Sequence, residues 1–173
     1  ASAGLGLQPL DARAPAYAAT FAMSNADAVA TTVKGATEWW QQIRQASPNP
    51  DLGRLGNRVL LVLSRAYALP LADDLAQVGA CGSSGVLIGG AHEIPGVLRL
   101  PADATLRRAL GGTLSSLNQR MAIRFLEASQ EPSSWLSTAH LERWNSWVVS
   151  SQHREVFDRV RRDDDAIKAW IGA

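Results

Sequence analysis

One stretch limits what this chain can fold into more than any other. It runs from Asp103 to Ser129 and reads DATLRRALGGTLSSLNQRMAIRFLEAS. Leu106, Leu110, Leu114, Leu117, Met121 and Phe125 recur at steps of four and three, so the spacing predicts a helix with all six on one apolar stripe. Asp103 stands at the N-cap position and Pro132 follows the expected end. Arg120 and Arg124 are four apart and flank the stripe, with Glu127 in reach of Arg124.

The chain around this stretch has the length of one domain, with a core to match. At 173 residues and 46% hydrophobic it is not disordered throughout. Seventeen basic residues face sixteen acidic ones, a net charge of +1 that excludes binding of duplex nucleic acid by bulk charge alone. Lys34 and Lys168 are the only lysines, and arginine suits bidentate contacts to carboxylate or phosphate. A GC-rich coding sequence is the plainer cause of the same bias. Cys81 is alone, which rules out an intrachain disulfide framework and a thiolate zinc cage and suits a reducing compartment. No apolar run approaches the ~20 residues that span a bilayer. The opening ASAGLGLQPL lacks the basic and apolar regions of a signal peptide.

Along the chain, residues 1–23 carry Pro9 and Pro15 and no sustained period, so they predict an arm. Ser24 and Asp27 form a capping-box pattern, predicting a helix to about Ala46 that contains Val29, Val33, Trp39, Trp40 and Ile43. Trp39 and Trp40 point about 100° apart, so one face cannot hide both. Ser47–Asn57 is turn-rich. RVLLVLSRAYAL, from Arg58 to Leu69, is apolar nearly all round. VLLVL alone suits a strand, but the length favours a buried helix. A short helix from Leu71 to Val78 follows. Glycines and serines then break the pattern, and Val86–Ile88 and Val97–Leu100 predict a small hairpin or extended loop. Helices are expected from Thr138 to about Ser150 and from Ser151 to Ile171, the second with Arg154–Asp158 and Arg161–Asp165 paired on its outside.

Few residues suggest chemistry. Cys81 lies in QVGACGSSG, and CGSSG partly resembles the C-G-S-C-W of papain-like proteases, without the second Cys or the Trp. His92, His140 and His153 are the candidate bases that a thiolate nucleophile needs, while the plain reading is a small buried thiol beside a glycine turn. His92-Glu93 lacks the spacing of H-E-x-x-H, and GVLIGG lacks a nucleotide-loop pattern. Arg107, Arg108, Arg120 and Arg124 form the best anion-binding set, able to contact a few phosphates without reading bases. Surface pairing with acidic residues is the structural alternative. Four of the six tryptophans fall within residues 135–170, where either a core or an interface would use them.

Glu38-Trp39-Trp40 follows the arm. A Pro-flanked segment, Ile94–Pro101, precedes a Leu-rich helix from Thr105 to Gln119, and Leu141, Glu142 and Trp147 stand near the end. This order resembles the coat proteins of rod-shaped plant viruses of the tobacco mosaic and hordeivirus kind. Leu141 replaces the family's Phe, the spacing to Trp147 is shorter, and the helix from Ser150 is extra. The resemblance implies a helical rod of subunits that hold single-stranded RNA through head-to-tail contacts. Separately, Ala122, Phe125, Leu126, Trp144 or Trp147, and the H-R-x-x-F-x-x-V run of His153, Arg154, Phe157 and Val160 make residues 121–160 resemble the N-terminal domain of FecR-type sigma-factor regulators.

Together these readings predict an all-α fold of about five helices packed as a bundle, with a small β-hairpin or extended loop near residues 86–100. An arm, 1–23, precedes a single helical domain, 24–173. The expected function is a self-assembling coat subunit in a virion or the cytoplasm. Its partners are copies of itself and single-stranded RNA, with no membrane, metal, cofactor or enzyme activity. Arg107, Arg108, Arg120 and Arg124 are the expected RNA contacts, and Trp39, Trp40, Trp144, Trp147 and Trp170 the expected subunit contacts. The alternative is a regulatory module that binds a sigma factor, and a third reading is a cysteine hydrolase using Cys81.

Overall fold

The first helix, α1, spans Val33–Ala46, so it starts well after Ser24. Thr32 is its N-cap, with Oγ1 accepting from the Gly35 amide at 3.1 Å. The earlier Ser24–Asp27 segment forms a turn instead, in which Asn25 Oδ1 accepts from the Asp27 amide at 3.0 Å. The Asx turn competes with the helix for the same backbone donors, and here it wins. Thr20 makes two backbone bonds across that turn: its amide donates to the Asp27 carbonyl, and its carbonyl accepts from the Val29 amide. The computed structural model describes residues 1–9, 11–47, 52, 58–81, 84–129 and 136–171. In the last helix it describes the side chains of 138–155, 159, 161 and 162.

RVLLVLSRAYAL does not form one helix. Arg58–Leu63 is a strand, β1, and Arg65–Ala68 is a single helical turn, α2. Helix α3 follows over Ala72–Ala80, then β2 over Ser84–Gly89 and β3 over Val97–Leu100. The strands form one sheet in the order β1-β2-β3, and both pairings are parallel. The all-α bundle is therefore corrected to a mixed α/β architecture, and the hairpin near 86–100 to two parallel strands. The physical reason is that a parallel strand buried on both faces shows a continuous apolar run, which periodicity cannot tell from a buried helix. In the central β2, Val86, Leu87 and Ile88 are all fully buried.

Joining β2 to β3 in parallel leaves only residues 90–96 to return the chain to the start of the sheet. That return lies tightly against α3. A Cβ on Gly79 would stand 1.9 Å from the Pro95 carbonyl oxygen, and a Cβ on Gly96 would stand 2.8 Å from the Gly79 carbonyl oxygen. Gly96 also has φ +78°, in the left-handed region. Two glycines thus allow backbone to pack directly on backbone.

The chain divides into two compact units, Ala1–Pro101 and Ala102–Ala173. The first takes in the segment read as an arm, whose Ala3 and Phe21 are buried in a core with Trp40, Leu61, Leu75 and Leu87. Trp40 and Trp39 divide as their angular separation requires. Trp40 is 2% exposed, while Trp39 is 39% exposed and donates through Nε1 to the Ala3 carbonyl at 2.8 Å. Asp74 on α3 is 2% exposed. It accepts from Trp40 Nε1 at 2.7 Å and from the Arg44 guanidinium, so two elements are pinned to one buried carboxylate.

The second unit holds the organising stretch in pieces. A 3-10 turn, Ala104–Leu106, leads into α4, Arg107–Leu110. A second 3-10 turn, Leu114–Ser116, leads into α5, Leu117–Glu127. Gly111 and Gly112, at φ +70° and +75°, turn the chain between them. The interruption takes Leu114 off the stripe and leaves it 58% exposed, while Leu106, Leu117, Met121 and Phe125 stay buried. Asp103 is the cap the pattern predicted, accepting from the Thr105 amide at 2.8 Å. The two helices expected from Thr138 and Ser151 are one, α6, Thr138–Ile171. Among the described residues, no helix is long and apolar enough to cross a membrane.

Candidate anion-binding site

Open α/β sheets place ligands beyond the carboxyl ends of their strands. Here the strand ends of the first unit are occupied by internal bonds. The Gly90 amide donates to the Leu63 carbonyl at 2.8 Å, and Arg99 Nε donates to the Gly89 carbonyl at 2.9 Å while also facing Glu93 at 3.3 Å. Cys81 caps the end of α3 and is exposed, with no thiol hydrogen bond among the described residues.

The second unit has a more distinctive surface. One wall is the 104–112 segment and the other is α6. Asp103 ties them together, because its second carboxylate oxygen accepts from Gln152 Nε2 at 2.6 Å. The Thr105 amide and, after it, Gln152 hold the Asp103 carboxyl below its ordinary range against the opposing effect of burial. Between the walls lies an open hollow of about 500 Å³ lined by Ala104, Arg107, Arg108, Gly111, Gly112, Glu155 and Arg162. A second hollow of about 350 Å³ adjoins it, sharing Arg108 and Glu155 and adding Ala109, Ser151 and Arg154. Among the described residues, four arginines and one glutamate line this surface, a formal charge of +3. Such a concentration of guanidinium groups matches the geometry of phosphate and carboxylate oxygens.

The four arginines named from the sequence separate into two roles. Arg107 and Arg108 line the hollow. Arg107 also donates through Nε to the Gly112 carbonyl at 3.1 Å. Arg120 closes the glycine turn. Its Nη1 donates to the Leu110 carbonyl at 3.3 Å, its Nε to Ser116 Oγ at 3.3 Å, and the guanidinium lies where a Cβ on Gly112 would be. Arg124 lies over the Trp147 ring, 5.3 Å from its centroid, a cation–π contact. Arg154, Arg162 and Glu155 are the lining residues that sequence reasoning missed. A signal was present, since Ser151, Glu155 and Arg162 are four and seven apart and fall on one helix face with Arg154 beside them. Reading the arginines of α6 as surface ion pairs concealed it.

The tryptophans named as subunit contacts also divide. Trp40 and Trp144 are each 2% exposed, which leaves neither any surface to offer a neighbour. Trp144 packs edge-on against Phe125 at 5.4 Å, and Trp147 sits beside it at 5.1 Å, half-buried under Arg124. Trp39 keeps an exposed face, and the side chain of Trp170 lies outside the described residues. His140 is fully buried against Phe125, with ring centroids 4.5 Å apart; among the described residues neither ring nitrogen makes a well-formed hydrogen bond, although the Ala128 carbonyl lies near enough to favour the protonated ring. His92 and His153 are exposed.

No family model matches this sequence, and comparison with curated proteins and with solved structures likewise returns no match.

Proposed function

We propose that the second unit binds the phosphate backbone of single-stranded RNA. One observation carries this reading: Arg107, Arg108, Arg154 and Arg162 converge on adjoining open hollows that contain a single described acid, Glu155. Phosphates of a flexible strand fit an open, charged surface better than a small metabolite does, because metabolite sites are enclosed and largely apolar. Among the described residues no ring lines the hollows to stack a base, so the contact proposed here positions a strand without reading it.

Assembly of many copies along such a strand is the larger form of the proposal. Exposed Leu114, Ile123, Leu126 and Val149 support it, as apolar surface for a neighbouring subunit. The parallel sheet is not the helical bundle expected from the coat-protein resemblance, so the proposal stands on the arginine surface and not on that architecture. The regulatory reading draws on three of the same side chains, since Ile123, Leu126 and Val149 lie within 121–160. Co-purification of a sigma factor in place of RNA would favour it.

The test is fluorescence anisotropy with a labelled oligouridylate across a salt series. Four phosphate contacts, one per arginine, predict a slope of log K against log salt of about −3 for a single strand. The Arg107→Ala, Arg108→Ala double variant is expected to lose most of the affinity and to flatten the slope. No binding at about 50 mM salt, or binding indifferent to the double variant, refutes the proposal.

A further inference from the structure

Gly111 and Gly112 line the larger hollow, and both stand at positive φ, +70° and +75°. Adjacent glycines have more backbone freedom than any other pair of residues, so this part of the lining needs an outside restraint to keep one shape. Arg120, on α5, supplies it. Its Nη1 donates to the Leu110 carbonyl before the pair, and its Nε to Ser116 Oγ after it, each at 3.3 Å. Between those anchors the guanidinium covers Gly112, with Cζ 2.6 Å from the point a Cβ would occupy. One planar side chain thus spans the turn from Leu110 to Ser116, a task that suits a guanidinium fork and not a single ammonium.

The turn in its place holds an arginine of the hollow. The Gly112 carbonyl accepts from Arg107 Nε at 3.1 Å, so the direction in which Arg107 presents its guanidinium follows the position of that carbonyl. Arg120 lines neither hollow itself. The contacts run from Arg120 to Gly112 to Arg107, all within the second unit.

We propose that Arg120 is a positioning residue for this surface: it fixes the Gly111–Gly112 turn, and through it the Arg107 guanidinium, without touching the ligand. This rests on the reading of the hollow as a phosphate site. A positioning arginine raises affinity by sparing the ligand the cost of ordering the turn. A contacting arginine raises it by pairing with a phosphate and releasing a counterion. The two roles therefore leave different marks on the salt dependence.

The experiment titrates the full chain and its variants into labelled oligouridylate across a salt series, at a temperature where circular dichroism shows each variant folded. Arg120 is exposed, so its replacement leaves the core intact, and a role in stability alone would not move the affinity of folded protein. Arg107→Ala is expected to make the slope shallower by about 0.7, the share of one phosphate contact. Arg120→Ala is expected to weaken binding on the order of fivefold and to keep the wild-type slope. Arg120→Lys retains the charge but not the fork, and is expected to lose as much as Arg120→Ala. Gly112→Ala, whose methyl displaces the guanidinium, is expected to weaken binding in the wild-type background and to cost less when added to Arg120→Ala, because both remove the same restraint. Wild-type affinity in Arg120→Ala or Arg120→Lys overturns this inference and leaves the phosphate site standing. So does a slope shallower by about 0.7 in Arg120→Ala, or full additivity of the Gly112 and Arg120 replacements. Absence of binding by the wild type overturns the site and this inference with it.

Discussion

Gly79 is where helix propensity and tertiary packing predict opposite signs. It lies inside α3, Ala72–Ala80, where replacing Gly by Ala ordinarily stabilises by about 1 kcal/mol. The added Cβ would stand 1.9 Å from the Pro95 carbonyl oxygen and 3.1 Å from its carbon. The first distance is more than 1 Å inside a close C···O approach of ~3.3 Å. Backbone sits on both sides, so no side-chain rotamer can relieve the clash. Either the end of α3 or the 95–96 peptide must shift, and Val97, paired with Gly85 in the sheet, follows immediately. Overpacking of this kind costs about 1–3 kcal/mol and more where nothing yields. Taking the upper end and subtracting the propensity gain leaves a net loss of about 2 kcal/mol. For a chain of this size that is a fall in Tm of about 4–8 °C. Thermal unfolding of Gly79→Ala by circular dichroism measures it directly. An unchanged or higher Tm would refute the claim that residues 90–96 return to β3 by packing on α3.

The other predictions concern buried polar groups. Asp74→Ala takes away the buried carboxylate that the Arg44 guanidinium and Trp40 Nε1 share, so it should lose about 3–5 kcal/mol in urea unfolding. Asp74→Leu combined with Arg44→Met should recover part of that, the Trp40 donor still lacking its acceptor, and a neutral single variant would contradict the buried pair. Burial holds the His140 pKa below its ordinary value, outweighing the Ala128 carbonyl, which favours the charged form, and with a further lowering by Arg143. Because the unfolded imidazole takes up a proton first, stability is full above about pH 6.5 and falls below it by at most about 1.4 kcal/mol per pH unit, until the lowered folded value is reached. His140→Leu should remove that slope and stabilise the protein at pH 7 by about 1–3 kcal/mol. Identical urea midpoints for variant and wild type at pH 7 and pH 5 would contradict it.

The legible parts of the chain were those whose signal is contained in one or two turns. Asp103 was found because a cap and its amide partner are two residues apart. The short helix near 71–78, the divergence of Trp39 and Trp40, and the burial of Leu106, Leu117, Met121 and Phe125 all follow from the 100° step between successive helical residues. Arg107 and Arg108 are adjacent in the sequence, and both line the hollow. The partners that complete it were not legible, because Arg154, Glu155 and Arg162 lie more than forty residues away, on a helix whose orientation only the folded unit sets.

By itself, then, the sequence determined the local helical periods, the cap at Asp103 and the supply of arginines, each governed by neighbours within a few residues. The tertiary structure decided that Arg58–Leu63 pairs as a strand, that β2 and β3 run parallel, and that Gly111–Gly112 breaks the central stripe. A strand gains its hydrogen bonds from residues distant in the chain, and a buried one carries no alternation to announce it. The clustering of arginines around Glu155 depends on the same kind of distant encounter, and for that reason the site appears only in the folded molecule.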